Sequence, residues 1–201
     1  ITAHADGTRR LRSRCEMQED DLLRDVFLCV DTHWRPVVAH VNLMVSGQFV
    51  GSSHYVFSED IARIQSYTVR DGYHVQKTKL DRPPPSFGSH AVQNDAWFYA
   101  AFDQIRMGTH PGFLESVPIT SKLPNGGDGP GIQFSRQQHR YVGDETIEVA
   151  AGQFETRHYE FIFDQWPSIH YWISGEDYLL VKCRWDHLKQ TYELTQLDKT
   201  G

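Results

Sequence analysis

The sequence predicts a mainly β protein: a strongly curved antiparallel sheet, or half-barrel, wrapped around one central helix. Three observations carry this. Period-two alternation runs through both ends of the chain, turn signals recur at roughly 8 to 12 residues, and one middle segment switches to a period of 3.6. At 201 residues the chain is sized for a single domain, read as 1–201, with 1–20 a loosely ordered N-terminal segment.

The first strand read is "DVFLCVD", joined through "THWRP" to "PVVAHVNLMVSG". In the latter, Ala39, Val41, Leu43 and Val45 share one side, with His40, Asn42 and Met44 on the other. "QFVGSSHYVFSED" and "IARIQSYTVRDGYHVQKTKL" continue the alternation, and "RDG" at Arg70–Gly72 is a hairpin turn. The first 80 residues or so therefore read as a meander of four or five strands.

"DRPPPSFGSH" follows as a proline-stiffened connection. From Asn94 to Met107 the period is helical, with Trp97, Ala101 and Gln104 on one face and Phe98, Phe102 and Ile105 beside it. Asn94 or Asp95 is placed to cap that helix. The run "NGGDGPG" lacks the GxxxxGK[ST] pattern and a following helix, so it reads as a mobile lid loop and no phosphate cradle. The second half then gives "DETIEVAAGQFETRHYEFIFD", folded about Ala151–Gly152, and two or three more strands in "SIHYWISGEDYLLVKCRWDHLKQTYELTQL".

Composition removes several functions. The net charge of -6, with "TRRLRSR" answered at once by "EMQEDD", speaks against nucleic acid as partner. No apolar run is long enough to cross a bilayer, so no membrane insertion is expected. Cys15, Cys29 and Cys183 are too scattered for a disulfide framework or a CxxC metal knuckle. Free thiols and the polar N-terminus together predict a cytoplasmic protein.

The C-terminal third carries "VGDETIEVAAGQFETRHYEF" and then "HYWISGEDYLLVKCRW". With "QNDAWFYAAFDQIR" between the two sets of strands, this resembles the half-barrel families related to bacterial lipoprotein carriers of the LolA type, most closely their uncharacterised domains. In order of elements the similarity spans about residues 24 to 197. The resemblance implies a curved sheet around a helix set in its mouth, with an apolar cavity between them.

For chemistry, there is no G-x-S-x-G elbow, and Ser53 and His54 face opposite sides of a strand, so nucleophilic catalysis is set aside. His158 and Glu160 share a strand face that His170 could neighbour, but no motif forces convergence; no metal ligands and no cofactor are assigned. General acid–base catalysis remains, requiring titratable groups against an apolar wall. Strand parity puts Tyr159 and Phe161, and likewise Tyr171, on apolar faces, with His158 and His170 on the opposite ones. The catalytic candidates are His90, Asp95, Tyr55, Tyr159 and Tyr171, and the ligand-binding candidates are Trp97, Phe98, Phe102, Phe161 and Trp185. The expected function is a cofactor-independent lyase or isomerase acting on a small hydrophobic molecule, terpenoid-, steroid- or aromatic-like, in the barrel cavity. The alternative is a non-catalytic carrier of a lipid-like ligand. The chain's 11 histidines and nine tyrosines favour the enzyme.

Overall fold

In a computed structural model describing residues 1–198, the chain is mainly β with short helical segments, as the alternation requires. Its strands form two open antiparallel sheets. The first is a pure meander of seven strands: β1 (Thr2–Ala3), β2 (Arg9–Met17), β3 (Leu22–Val30), β4 (Pro36–Val45), β5 (Gln48–Phe57), β6 (Ile61–Thr68) and β7 (Gly72–Lys79). The second sheet has the order β13-β12-β11-β10-β9-β8, from β8 (Gly112–Ile119), β9 (Gln133–Val149), β10 (Gly152–Ile162), β11 (Ile169–Ser174), β12 (Leu179–Trp185) and β13 (Gln190–Glu193). The chain packs as two compact units. Unit 1 comprises Ile1–Ala101 with Glu115–Ser135; unit 2 comprises Phe102–Leu114 with the described chain from Arg136 onward.

In unit 1 the predicted alternation is realised strand by strand. Val26 and Leu28 of β3, Ala39, Val41 and Leu43 of β4, and Tyr55 of β5 are all buried on one face. The connection after β7 supplies their cover, with the Phe87 ring 4.9 Å from that of Tyr55 and 5.5 Å from that of Phe57. Gly88 has no space for a side chain, because a Cβ there would lie 2.8 Å from Ile119.

Three expectations change. The N-terminal segment is not loose, since β2 pairs with β3 along its whole length. Leu11 is the buried member of its inward alternation, and Arg10, Arg12 and Arg14 project from the other face. The helix is two short pieces, α1 (Val92–Asp95) and α2 (Phe98–Asp103), whose residues from Ala96 to Phe102 are all buried. An all-round buried segment gains its stability from packing on every side, so it needs no continuous amphipathic face. The cap residue of α1 is Ala91, which uses no side chain, and Asp95 is the last residue of α1. The buried Asn94 points back instead, its Oδ1 accepting from Ser89 N at 3.2 Å and Ser89 Oγ at 2.5 Å.

The glycine-rich loop is the third change. Its main chain is fastened down: Ser53 Oγ donates to Pro130 O and Tyr55 OH to Gly131 O, each at 2.7 Å. The fully buried Arg24 donates to Asn125 O and to His90 O, each at 2.8 Å. Gly126 lies so close that a Cβ would stand 2.3 Å from Arg24 Nη2. Buried donors need these carbonyls, which converts an expected lid into a strap.

In unit 2, β9 and β10 form a long ladder around the Gly152 turn, with a register shift between His158 and Tyr159. β8 is an edge strand of the second sheet, a position that tolerates its Pro118. Phe102, Tyr159, Ile173 and Val181 are fully buried in this unit.

Candidate functional site

The ten residues picked from sequence are chiefly core. In unit 1, burial pushes the Tyr55 phenol well up, so it stays a neutral donor to Gly131. His90 sits at a left-handed φ of 58° with Nδ1 3.0 Å from Thr120 Oγ1. Burial, aided by the Arg24 charge and opposed by Asp128, lowers its imidazole to about 4. Asp95 is half-buried, and its charge acts on Arg24 and Cys15. The groups that set the His90 charge are thus Arg24 and Asp128. Trp97 packs edge-on against Trp34 at 5.4 Å, and Phe98 is equally buried.

In unit 2, Tyr159 donates to both carboxylate oxygens of Asp103 at 2.8 Å. Asp103 also accepts from Tyr178 at 2.9 Å and Arg157 at 2.6 Å, and it pairs with Arg106 at 3.2 Å. Burial, then the Asp103 charge, pushes the Tyr159 phenol strongly up. The Phe102 ring stands edge-on to Tyr159 at 6.4 Å, so these two candidates do meet. Tyr171 is buried. Phe161 lies between the His139 and Phe163 rings, at 4.7 and 4.5 Å. Trp185 donates to Pro167 O at 3.0 Å. Two surface clefts, of about 350 Å³ beside Pro83–Pro85 and about 260 Å³ beside Met17 and Leu22, contain none of the ten.

The arrangement with chemical potential is on the opposite face of β9–β11, among residues the parity rule had turned outward. Cross-strand register builds it. His158 stands opposite Trp172, and Glu160 opposite His170. On one sheet face, such neighbours lie within side-chain reach of one another. The His158 ring stacks on Trp172 at 4.4 Å and an interplanar angle of 16°. Trp172 Nε1 donates to Glu145 Oε1 at 2.6 Å, and the same oxygen is 3.0 Å from His158 Nδ1. His158 Nε2 then lies 2.9 Å from His170 Nδ1. Glu160 Oε1 is 3.8 Å from His170 Nδ1, while its other oxygen takes Arg140 Nε at 2.9 Å.

The neighbours assign the tautomers. Burial lowers both imidazoles below their ordinary value, and each also feels another cationic group; Glu145 and Glu160 oppose the shift. Both rings are therefore neutral near pH 7. The Glu145 carboxylate favours the proton on His158 Nδ1, which leaves Nε2 to accept from His170 Nδ1–H. His170 Nε2 is then a free lone pair, with no hydrogen-bond partner among the described residues. The side chains are 14% and 20% exposed, so most of each ring is shielded from solvent. The carboxylate–imidazole–imidazole series can take up a proton at one end and spread the charge toward Glu145.

Among the described residues, no group of three or more His, Cys, Asp or Glu is arranged to hold a metal ion. Nor is any helix there long and apolar enough to cross a membrane. Compared with protein-family models, curated proteins and solved structures, the chain matches none.

Proposed function

We propose that this chain is a cofactor-independent lyase or isomerase that moves a proton on a small hydrophobic molecule, with the base at His170 Nε2. The observation supporting this is the ordered series Glu145, His158, His170, which ends in an unoccupied, half-buried nitrogen lone pair. In this reading His170 abstracts a proton from an acidified C–H, and the imidazolium so formed is stabilised by His158 and Glu145. The same proton returns to a neighbouring carbon for isomerisation, or leaves with a departing group for elimination. His158 positions His170 and fixes its tautomer, the service an orienting group gives any catalytic imidazole. The lowered imidazole values keep the base form present at neutral pH.

Ring opening of 5-nitrobenzisoxazole, an activated C–H acid, tests for such a base without a known substrate. The wild-type chain is expected to accelerate it, with a rate that rises with pH to a plateau whose inflection lies below the ordinary imidazole value. His170→Gln should lower the rate by about 100-fold or more, the usual share of a general base. Equal rates for His170→Gln and wild type would sink the proposal.

A further inference from the structure

A second feature stands on unit 1, on the outward face of β6 and β7. Exposed apolar side chains gather around their hairpin: Tyr73 is 67% exposed, Val69 66%, Val75 51% and Tyr67 50%. Phe49, also exposed, stacks on Tyr67 at 6.2 Å. In a folded chain such a patch marks a contact surface. Register places the rest of the face. Tyr67 is opposite Tyr73, Gln65 opposite Val75, Arg63 opposite Lys77, and Ile61 opposite Lys79. Apolar rings thus crowd the hairpin end, and a collar of Arg63, Lys77 and Lys79 follows farther along the strands. At about 3.4 Å per residue, Tyr73 and Lys77 are separated by roughly 14 Å.

We propose that this hairpin end seats on an anionic lipid surface, with Tyr67, Val69 and Tyr73 in the interfacial layer and the collar over the headgroups. Charge complementarity commits the face to that partner. The outward positions of β5 to β7 hold three cations and no carboxylate, on a chain whose net charge is -6. At the tip, Arg70 and Asp71 neutralise one another through contacts of 2.9 to 3.0 Å. The acidic residues Glu59 and Asp60 lie at the other end of β6, just before its first residue Ile61. This gradient from apolar to basic to acidic orients the hairpin. Tyrosine suits the interface because its ring is apolar and its hydroxyl wet.

Other partners fit less well. β7 is a sheet edge, but Lys77 and Lys79 guard it against pairing with another strand. Single-stranded nucleic acid needs aromatics interleaved with cations, and here the two are set apart along the strands.

The test is co-sedimentation of the full chain with vesicles of phosphatidylcholine alone, or with about one-third phosphatidylserine. Binding is expected only to the serine-containing vesicles, weakened at about 0.5 M salt. Lys77→Gln and Lys79→Gln should each weaken it about fivefold. Val69→Ser with Tyr73→Ser should abolish it while leaving the thermal midpoint unchanged, since all four positions are exposed. Absence of binding to phosphatidylserine vesicles overturns the proposal, as does binding that the lysine and tip variants leave intact. A concentration-dependent dimer dissolved by Tyr73→Ser, seen by sedimentation velocity, would overturn it in favour of a second copy.

Discussion

Nε2 of His158 and Nδ1 of His170 lie 2.9 Å apart across the β10–β11 ladder, with each ring held neutral by its surroundings. Two neutral imidazoles at that separation share one proton, so their tautomers are tied together. Long-range nitrogen–proton NMR near pH 7.5 should find both rings protonated at Nδ1. A His170 carrying its proton on Nε2 would contradict the assigned chain, whatever the activity of the protein.

Acid should act through two other imidazoles. His139 is lowered to about 3 by burial, and His90 to about 4 by burial and then Arg24. Their folded values lie below the unfolded value near 6.5, so the stability they contribute is whole above about pH 6.5. It declines as pH falls through the interval from 6.5 to the folded values, because the unfolded chain then binds more protons. For His90 the loss is on the order of 3 kcal/mol between those limits. Urea midpoints at pH 7, 5.5 and 4 measure it. His139→Phe and His90→Phe should each flatten the dependence, and unchanged curves would show these rings do not control it.

Removing the Arg24 guanidinium should be costly. Arg24→Met leaves the carbonyls of His90 and Asn125 without the guanidinium donor, for a loss of about 2 to 4 kcal/mol. Gly126→Ala attacks the same place from the other side, through its φ of +67° and the 2.3 Å approach to Arg24. Thermal melts of the two variants and their double should show less than additive losses.

Asp103→Asn tests the hub of unit 2. It removes the charge that Arg157 and Arg106 face and one acceptor oxygen of the Tyr159 and Tyr178 hydroxyls. A destabilisation of about 2 to 4 kcal/mol is expected in denaturant titration, with loss of near-ultraviolet tyrosine dichroism. Retained stability would mean that the asparagine amide satisfies the same donors.

The strands were legible because their information is local. Val41 and Leu43 alternate with His40 and Asn42 whatever lies beyond them, and the turn at Arg70–Gly72 needs only Gly72 at its φ of 72°. The helix was half legible. Trp97, Phe98, Ala101 and Phe102 mark a buried segment, but burial on all sides gives no face from which to read its length or cap. The candidate site was least legible. His158 and His170 were seen to face away from the apolar side, and that parity holds. What brings them together with Glu145 is strand register, modified by the shift at His158/Tyr159, a fact of pairing between distant segments. Tyr55 and Tyr159 drew attention as titratable groups on apolar faces, and those faces make them core donors to Gly131 and Asp103.

The strapped loop also decides where this chain can be labelled or extended. Its sequence, "NGGDGPG", is what a protein engineer would choose for inserting a tag or opening new termini. With its carbonyls taken by Arg24, Ser53 and Tyr55, an insertion between Asn125 and Gly131 would pull three buried donors out of register with their partners. The β4–β5 turn at Gly47, with open space around its Cα, is the better site for a fluorophore or an affinity handle.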